Sequence, residues 1–310
     1  LYTTIYSLIL NYFKEIKLNN YIIIKYGRRI MSIFSDNRII ENVYDDIGFE
    51  DITTNSLVTE DKWAQAEILC KDEGILAGMD VAHYIINEFN LNISSSFLDG
   101  DEIHKGDVIL EFEGKAKDIL MVERTILNYL MHLSGIATLV SNTCKKVHEI
   151  NPKIRVACTR KTTPGLQKLE KKAVEIGGGD THRFKLDDCV LIKDNHIQVV
   201  GGVIEAIDRA KENVSFTKKI EIEVENLDDA IRASMFGADI VMLDNMNPDE
   251  IEEVLVTLKQ RHLRDDVIIE VSGGITPATI TKYATLDVDV ISSGFITNSA
   301  QTLDLSLNIL

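Results

Sequence analysis

The chain has 310 residues, with 49 acidic against 33 basic side chains and a formal net charge of -16. So acidic a chain, with a pI near 4.9, repels nucleic acid and anionic membrane as main partners, because its summed field has their sign. Hydrophobic residues at 45% and charged residues at 26% suit a soluble globular protein with a sizeable core, and exclude a disordered chain or a membrane protein.

The first thirty residues stand apart. LYTTIYSLILNYFKEIKLNNYIIIKYGRRI is rich in Ile, Tyr, Asn and Lys, and Lys14, Glu15 and Lys17 break its apolar runs. No run reaches the roughly 18 to 20 residues of a membrane helix. The positive residues follow the apolar run, the reverse of a secretory signal. Residues 1–30 are expected to be a non-native upstream extension, with the native start at Met31.

From about residue 36 to 116 the pattern predicts short mixed elements of a compact α+β domain. GILAGMDVAHYIINEF reads as a strand running into a helix, and FLDGDEIHKGDVILEFEG as strands separated by an Asp-Gly turn at 99 and 100. A helix follows, where Ile119, Val122, Ile126, Leu130 and Leu133 recur at spacings of three and four. Arg124 lies off that stripe. Cys70, Cys144, Cys158 and Cys189 show no C-x-x-C spacing and lie in apolar segments, which predicts buried, reduced thiols in a cytoplasmic protein.

After residue 150 the rhythm changes. KIRVAC, DCVLI, KIEIEV, ADIVML, VIIEV and VDVIS are six short strand candidates, mostly separated by helical segments. One of these, PGLQKLEKKAVEIG, has Thr163 as expected N-cap, Pro164 at N1 and Gly177 as stop. Alternating strand and helix means parallel pairing with crossovers, and predicts an α/β barrel, TIM-like but short of eight strands, with an open doubly wound sheet as the structural alternative.

The chemistry lies at the strand ends. Arg160 and Lys161 follow the first strand, His182 and Arg183 follow the triple glycine, and Lys193, Asp194, Asn195 and His196 follow CVLI. Then the sign changes: Glu223 and Asp244 close the next two strands, and Ser272, Gly273, Gly274, Ser293 and Gly294 close the last two. In a parallel barrel these positions share the C-terminal rim, where late glycine turns cradle a phosphate. The cations call for a further polyanionic substrate portion. The carboxylates suit Mg²⁺, a ribose, or positive charge developing during reaction. With no H-E-x-x-H and no cysteine partners for His196, a zinc site is not expected.

TRKTTPG at 159–165, GGGDTHR at 177–183 and LIKDNH at 191–196 together resemble the quinolinate phosphoribosyltransferase family. EDITT, LDGDEIHKGDVILEFEG, ERTILNYLMHLSGIAT, EVEN, VMLDN, SGGI and ISSG extend the resemblance, in the family's order, from about Met31 to the C-terminus. The resemblance implies an N-terminal α/β sandwich domain over residues 31–140, a seven-stranded α/β barrel over 141–296, and residues 297–310 returning to the first domain. It further implies phosphoribosyl transfer from phosphoribosyl diphosphate with Mg²⁺ to quinolinate, with decarboxylation, and a homodimer with shared sites. Arg124 resembles an arginine reaching into the partner subunit's site; Arg160, His182 and Arg183 resemble the grip on the pyridine dicarboxylate. Lys161 and Lys193 fall at the junction of both substrates, Glu223 and Asp244 near the ribose and its Mg²⁺, and Ser272, Gly273, Gly274 and the Ser293–Gly294 turn at the 5'-phosphate. Asp180, Thr181, Phe184 and Ser293 depart from the family's common residues, which bears on affinity rather than reaction class.

Three other readings compete. A sister transferase group linked to molybdenum metabolism shares the fold and parts of these motifs. A Schiff-base aldolase would use Lys193 at a barrel strand end. A non-catalytic phosphometabolite sensor would bind without turnover, and gives no reason for charges segregated by sign.

Overall fold

The computed structural model describes residues 38–310; the expected upstream extension and residues 31–37 lie outside the described residues. Two compact units divide them. The first comprises residues 38–73, 78–131 and 304–310, the second residues 74–77 and 132–303.

In the first unit, helices α1 (Arg38–Ile47), α2 (Ile52–Leu57) and α3 (Met79–Glu88) accompany strands β1 (Trp63–Cys70), β2 (Asn92–Ser96) and β3 (Val108–Lys115). The strands are antiparallel, with Ile68 opposite Leu110 and Ile93 opposite Phe112. Their period-two pattern buries Ala66, Ile68, Leu110 and Phe112 and leaves Glu67, Glu111 and Glu113 half-exposed. The far edge of β1 pairs with Leu305–Ile309, Ile68 opposite Leu307. Gly100 turns at φ +96°, the left-handed backbone the Asp-Gly pair predicts.

Helix α4 (Ala116–His148) runs for 33 residues. Its buried stripe holds Ile119, Val122, Ile126, Leu130 and Leu133, and Arg124 is exposed. The compact units divide between Met131 and His132, inside this continuous helix, whereas the boundary expected after residue 140 lies further along it. No Pro/Gly-rich linker marks either place.

In the second unit all six expected strands are present: β4 (Arg155–Ala157), β5 (Val190–Ile192), β6 (Ile220–Val224), β7 (Ile240–Asp244), β8 (Ile268–Ser272) and β9 (Val290–Ser292). They form one parallel sheet in the order β4-β9-β8-β7-β6-β5. No position was expected for a seventh strand, but beside β4 Asp180 makes an isolated parallel bridge to Ala157. The described sheet therefore has six strands and one bridge beside it.

Helix α5 (Gln167–Ile176) starts three residues later than its Thr-Pro signal predicts. Gly165 takes φ +85°, which a helix cannot use, and the Thr163 N–H donates to Glu170 Oε2 at 3.0 Å instead of entering the helix. At the other end the triple glycine serves packing. A Cβ on Gly177 would lie 2.4 Å from the Ala137 carbonyl oxygen of α4, and one on Gly179 would lie 2.8 Å from Val140 Cγ1.

Helices α6 (Asp194–Val200), α7 (Val203–Asn213), α8 (Leu227–Met235), α9 (Pro248–Gln260), α10 (Ile280–Ala284) and α11 (Phe295–Asn298) follow in turn, and Leu305–Ile309 is β10. The central strands alternate two kinds of residue. Ile222, Val224, Val241, Leu243, Ile269 and Val271 are buried and apolar, while the positions between them hold Glu221, Glu223, Met242, Asp244, Glu270 and Ser272. Register aligns Glu223 with Met242, Met242 with Glu270, and Asp244 with Ser272. One face of the sheet therefore gathers the polar side chains.

Candidate active site

That polar face forms the wall of a cavity of about 820 Å³ in the second unit. The carboxyl end of β4 supplies Thr159, Arg160 and Lys161, the segment after the Asp180 bridge His182 and Arg183, and β5 leads to Lys193. Opposite in sign are Glu223 of β6, Asp244 of β7 and Glu270 of β8, and the turn after β8 adds Ser272, Gly273 and Gly274. Ten of the thirteen residues to which the family resemblance gives a role thus meet in one cavity, because parallel strands all deliver their carboxyl ends to the same side.

Its electrostatics are paired. The Lys193 ammonium donates to the Glu223 carboxylate, and the Lys193 backbone N–H donates to His196 Nδ1 at 2.9 Å. Burial, then the charge of Glu223, pushes the Asp244 carboxyl above its ordinary range, and Asn245 Nδ2 donates to Asp244 Oδ2 at 2.6 Å. Gly273 has φ +91° and approaches Asn245 so closely that a Cβ would lie 2.4 Å from Oδ1. Both the backbone angle and the space demand glycine there.

Three expected residues lie elsewhere. Arg124 is exposed on α4, in the first unit and outside the cavity lining. Ser293 and Gly294 are also absent from the lining, where Ser292 stands instead. The Ser293 N–H donates to the Ala157 carbonyl at 2.9 Å and its hydroxyl to the Ile275 carbonyl at 2.6 Å, so its donors are committed to the fold. Gly294 makes room for Lys161, whose Cδ would be 2.9 Å from an added Cβ. Cys189 corrects the expectation of buried thiols: it is half-buried on the cavity wall, while the other three cysteines are buried and all four are free.

The sequence reading missed the partners of His182. Its Nε2 lies 3.5 Å from Glu221 Oε1 and 3.3 Å from Glu270 Oε2, both on carboxylates at most 2% exposed. Burial disfavours a charged imidazole, yet hydrogen bonding and the charges of the two glutamates outweigh it and raise His182 to about 10. Burial also raises Glu221. The donor atoms of the three side chains lie within 4.8 Å of one another, a spacing a metal could use. In the neutral His182 ring, above about pH 10, the Arg183 N–H donates to Nδ1 at 2.7 Å and the remaining proton stays on Nε2, facing the carboxylates. The signal was there: Glu221 and Glu270 each stand two residues before a residue picked out at a strand end, hence on the same face.

A parallel α/β unit with a cationic, carboxylate-lined cavity at its strand ends and a glycine turn on a late strand defines a binding protein or enzyme for polyanionic small molecules. Comparison with known proteins narrows this. The profile described as quinolinate phosphoribosyl transferase, C-terminal domain, matches residues 136–308, and that of the N-terminal domain matches residues 51–134. A probable nicotinate-nucleotide pyrophosphorylase (carboxylating) of Methanothermobacter thermautotrophicus is 54% identical over 271 residues, 87% of this chain and 97% of that protein. The human nicotinate-nucleotide pyrophosphorylase (carboxylating) is 35% identical over 246 residues, 79% of this chain and 82% of that protein. The solved structure of the nicotinate-nucleotide pyrophosphorylase from Francisella tularensis superposes with a TM-score of 0.82 at 37% identity, covering 88% of this chain and 95% of that one. The chain belongs to the quinolinate phosphoribosyltransferase family.

Proposed function

We propose that this protein is a nicotinate-nucleotide pyrophosphorylase: it transfers the phosphoribosyl group of phosphoribosyl diphosphate to the ring nitrogen of quinolinate and releases CO₂, giving nicotinate mononucleotide and pyrophosphate in NAD biosynthesis. The observation that carries this reading is the convergence in one cavity of four cations, Arg160, Lys161, Arg183 and Lys193, with the carboxylates of Glu223 and Asp244, in a chain of this family. Quinolinate is a dianion and phosphoribosyl diphosphate a polyanion, so their juxtaposition needs such a cationic wall. The pyridine nitrogen forms a bond to the ribose C1 as the bond to the pyrophosphate oxygen breaks, the leaving group taking the electron pair. Glu223 and Asp244 stabilise the cationic ribose that develops. The N-ribosylated ring then accepts the electron pair of the breaking bond to the C2 carboxylate, CO₂ departs, and a proton from solvent fills C2.

In this reading Arg160, His182 and Arg183 grip the dicarboxylate, Lys161 and Lys193 serve both substrates, and Ser272, Gly273 and Gly274 receive the 5'-phosphate. Glu223 and Asp244 offer the hard oxygen donors that Mg²⁺ prefers and would hold it, a cation beside them offsetting the burial and the Glu223 charge that raise Asp244; bound there, it would supply positive charge for the pyrophosphate oxygens. We read the parallel sheet as a seven-stranded, TIM-like barrel in which the Asp180 segment takes the seventh place, preceded by an α/β sandwich domain. We further read the active form as a cytoplasmic homodimer, with the exposed Arg124 serving the partner's site. Among the described residues no helix is long and apolar enough to cross a membrane.

Incubation of residues 31–310 with phosphoribosyl diphosphate, Mg²⁺ and either quinolinate or nicotinate, followed by ultraviolet detection of the mononucleotide, tests the function. Product and CO₂ from quinolinate, with none from nicotinate, are expected; no product from quinolinate overturns the assignment.

A further inference from the structure

Helix α5 carries two buried ions side by side. Glu170 and Lys171 are both 0% exposed, and a charge removed from water needs specific partners. Consecutive helix positions do not face each other, so the two cannot satisfy one another, and each reaches a different loop. Glu170 Oε2 accepts from the Thr163 N–H at 3.0 Å, and its Oε1 lies 2.8 Å from His132 Nε2. The Lys171 ammonium donates to the Thr181 carbonyl and lies 3.4 Å from Cys158 Sγ and 5.5 Å from the centre of the Phe184 ring. One turn earlier, Gln167 Nε2 donates to the Phe184 carbonyl at 2.6 Å.

These two loops carry all of the cavity's cations except Lys193. Thr163 follows Arg160 and Lys161 in the loop after β4. Thr181 precedes His182, which adopts the left-handed φ of 49°, and Arg183. A loop residue in that conformation keeps it only where neighbours hold the backbone, and the Lys171 ammonium grips the peptide just before it. We propose that Glu170 and Lys171 are positioning residues that set the two cation-bearing loops against a single rigid helix, Glu170 acting through Thr163 on Arg160 and Lys161, and Lys171 through Thr181 on His182 and Arg183. The roles given to those cations rest on the reading of the cavity as a quinolinate and phosphoribosyl diphosphate site.

The assignment predicts a crossed pattern. Lys171→Met, similar in size and apolar, raises KM for quinolinate about tenfold or more and moves KM for phosphoribosyl diphosphate by less than about threefold. Glu170→Ala raises both by about tenfold or more, because Lys161 serves both substrates, and Glu170→Gln, whose amide oxygen still accepts from Thr163, recovers most of that loss. Amide hydrogen exchange of the full-length variants without substrate provides a second readout, independent of the reaction. Lys171→Met speeds exchange over residues 180–184 and spares 159–165, and Glu170→Ala does the reverse. Should Lys171→Met fail to fold, Lys171→Gln carries the same comparison. Unchanged exchange in both segments, or parallel movement of both KM values in Lys171→Met, overturns the inference. A wild-type protein inactive on quinolinate overturns the functional reading instead, and the exchange pattern still decides the positioning role.

Discussion

Strands β3 and β6 contain nearly the same phrase, Glu-Phe-Glu in one and Glu-Ile-Glu in the other, and the fold treats them in opposite ways. In β3, Glu111 and Glu113 are half-exposed on the antiparallel sheet, where Ser95 and Gln65 donate to them from neighbouring strands. In β6, Glu221 is 0% exposed and Glu223 is paired with Lys193 above the cavity. The difference comes from the sheets: an antiparallel sheet can turn one face to water, whereas a parallel sheet is covered on both. A glutamate on the enclosed face needs an unusual partner, and His182 and Lys193 supply it. Carboxylates in strands thus carry chemistry where the architecture, rather than the local pattern, removes them from water.

Mutations can break or sharpen that contrast. The strongest challenge is Arg124→Ala, in the unit that holds β3. It is expected to abolish turnover while leaving the protein folded, and mixing it with a cavity mutant such as Glu223→Gln should restore part of the activity. Full activity in the single variant would confine the chemistry to the parallel unit. Next comes Lys193→Ala, which strands Glu223 on the enclosed face; kcat/KM should fall at least about a hundredfold, near 2.7 kcal/mol. A near-normal value would remove Lys193 from the reaction.

A third, smaller effect concerns pH. His182, faced by Glu221, Glu270 and the nearby Arg183, is raised from 6.5 to about 10. Its contribution to stability is therefore full below about pH 6.5 and is lost as pH rises through about 10. Wild-type Tm should decline over that window more steeply than the Tm of His182→Phe, and parallel declines would overturn the pairing of a charged His182 with the buried glutamates. Smallest of all, Glu111→Gln and Glu113→Gln should each change stability by no more than about 0.5 kcal/mol in a denaturant melt and leave turnover within about twofold. A larger loss would show that the outer glutamates are not the solvated counterparts they are taken to be.

Much of this was legible in the sequence because strand ends announce themselves. The six apolar runs of the second unit are all strands, and the charges written after them converge because parallel strands share a carboxyl end. Glu221 and Glu270 escaped notice because alternation with Ile reads the same on a wet face as on an enclosed one. The helix after Thr163 began late because Gly165 takes a left-handed φ and the Thr163 amide is taken by Glu170, seven residues on, neither of which the Thr-Pro signal discloses. Ser293 looked like a phosphate ligand by its place at a strand end, but its hydroxyl is taken up by the Ile275 carbonyl, a partner no local pattern discloses. Two of the three glycines, Gly177 and Gly179, answer to the close approach of α4, and Gly178 to its left-handed φ of +87°.

The pairing of β10 with β1 has a consequence for synthesis. Asn308 donates to Glu67 across a separation of 241 residues, so the β1 edge stays open until the last strand has left the ribosome, after the whole parallel unit has been made. The unit begun first is completed last. Such a non-local closure is slow, and in the nascent chain it leaves an unpaired strand edge open to wrong partners. A chain cut before Leu305 would keep every cavity residue and still leave one edge of β1 permanently unpaired.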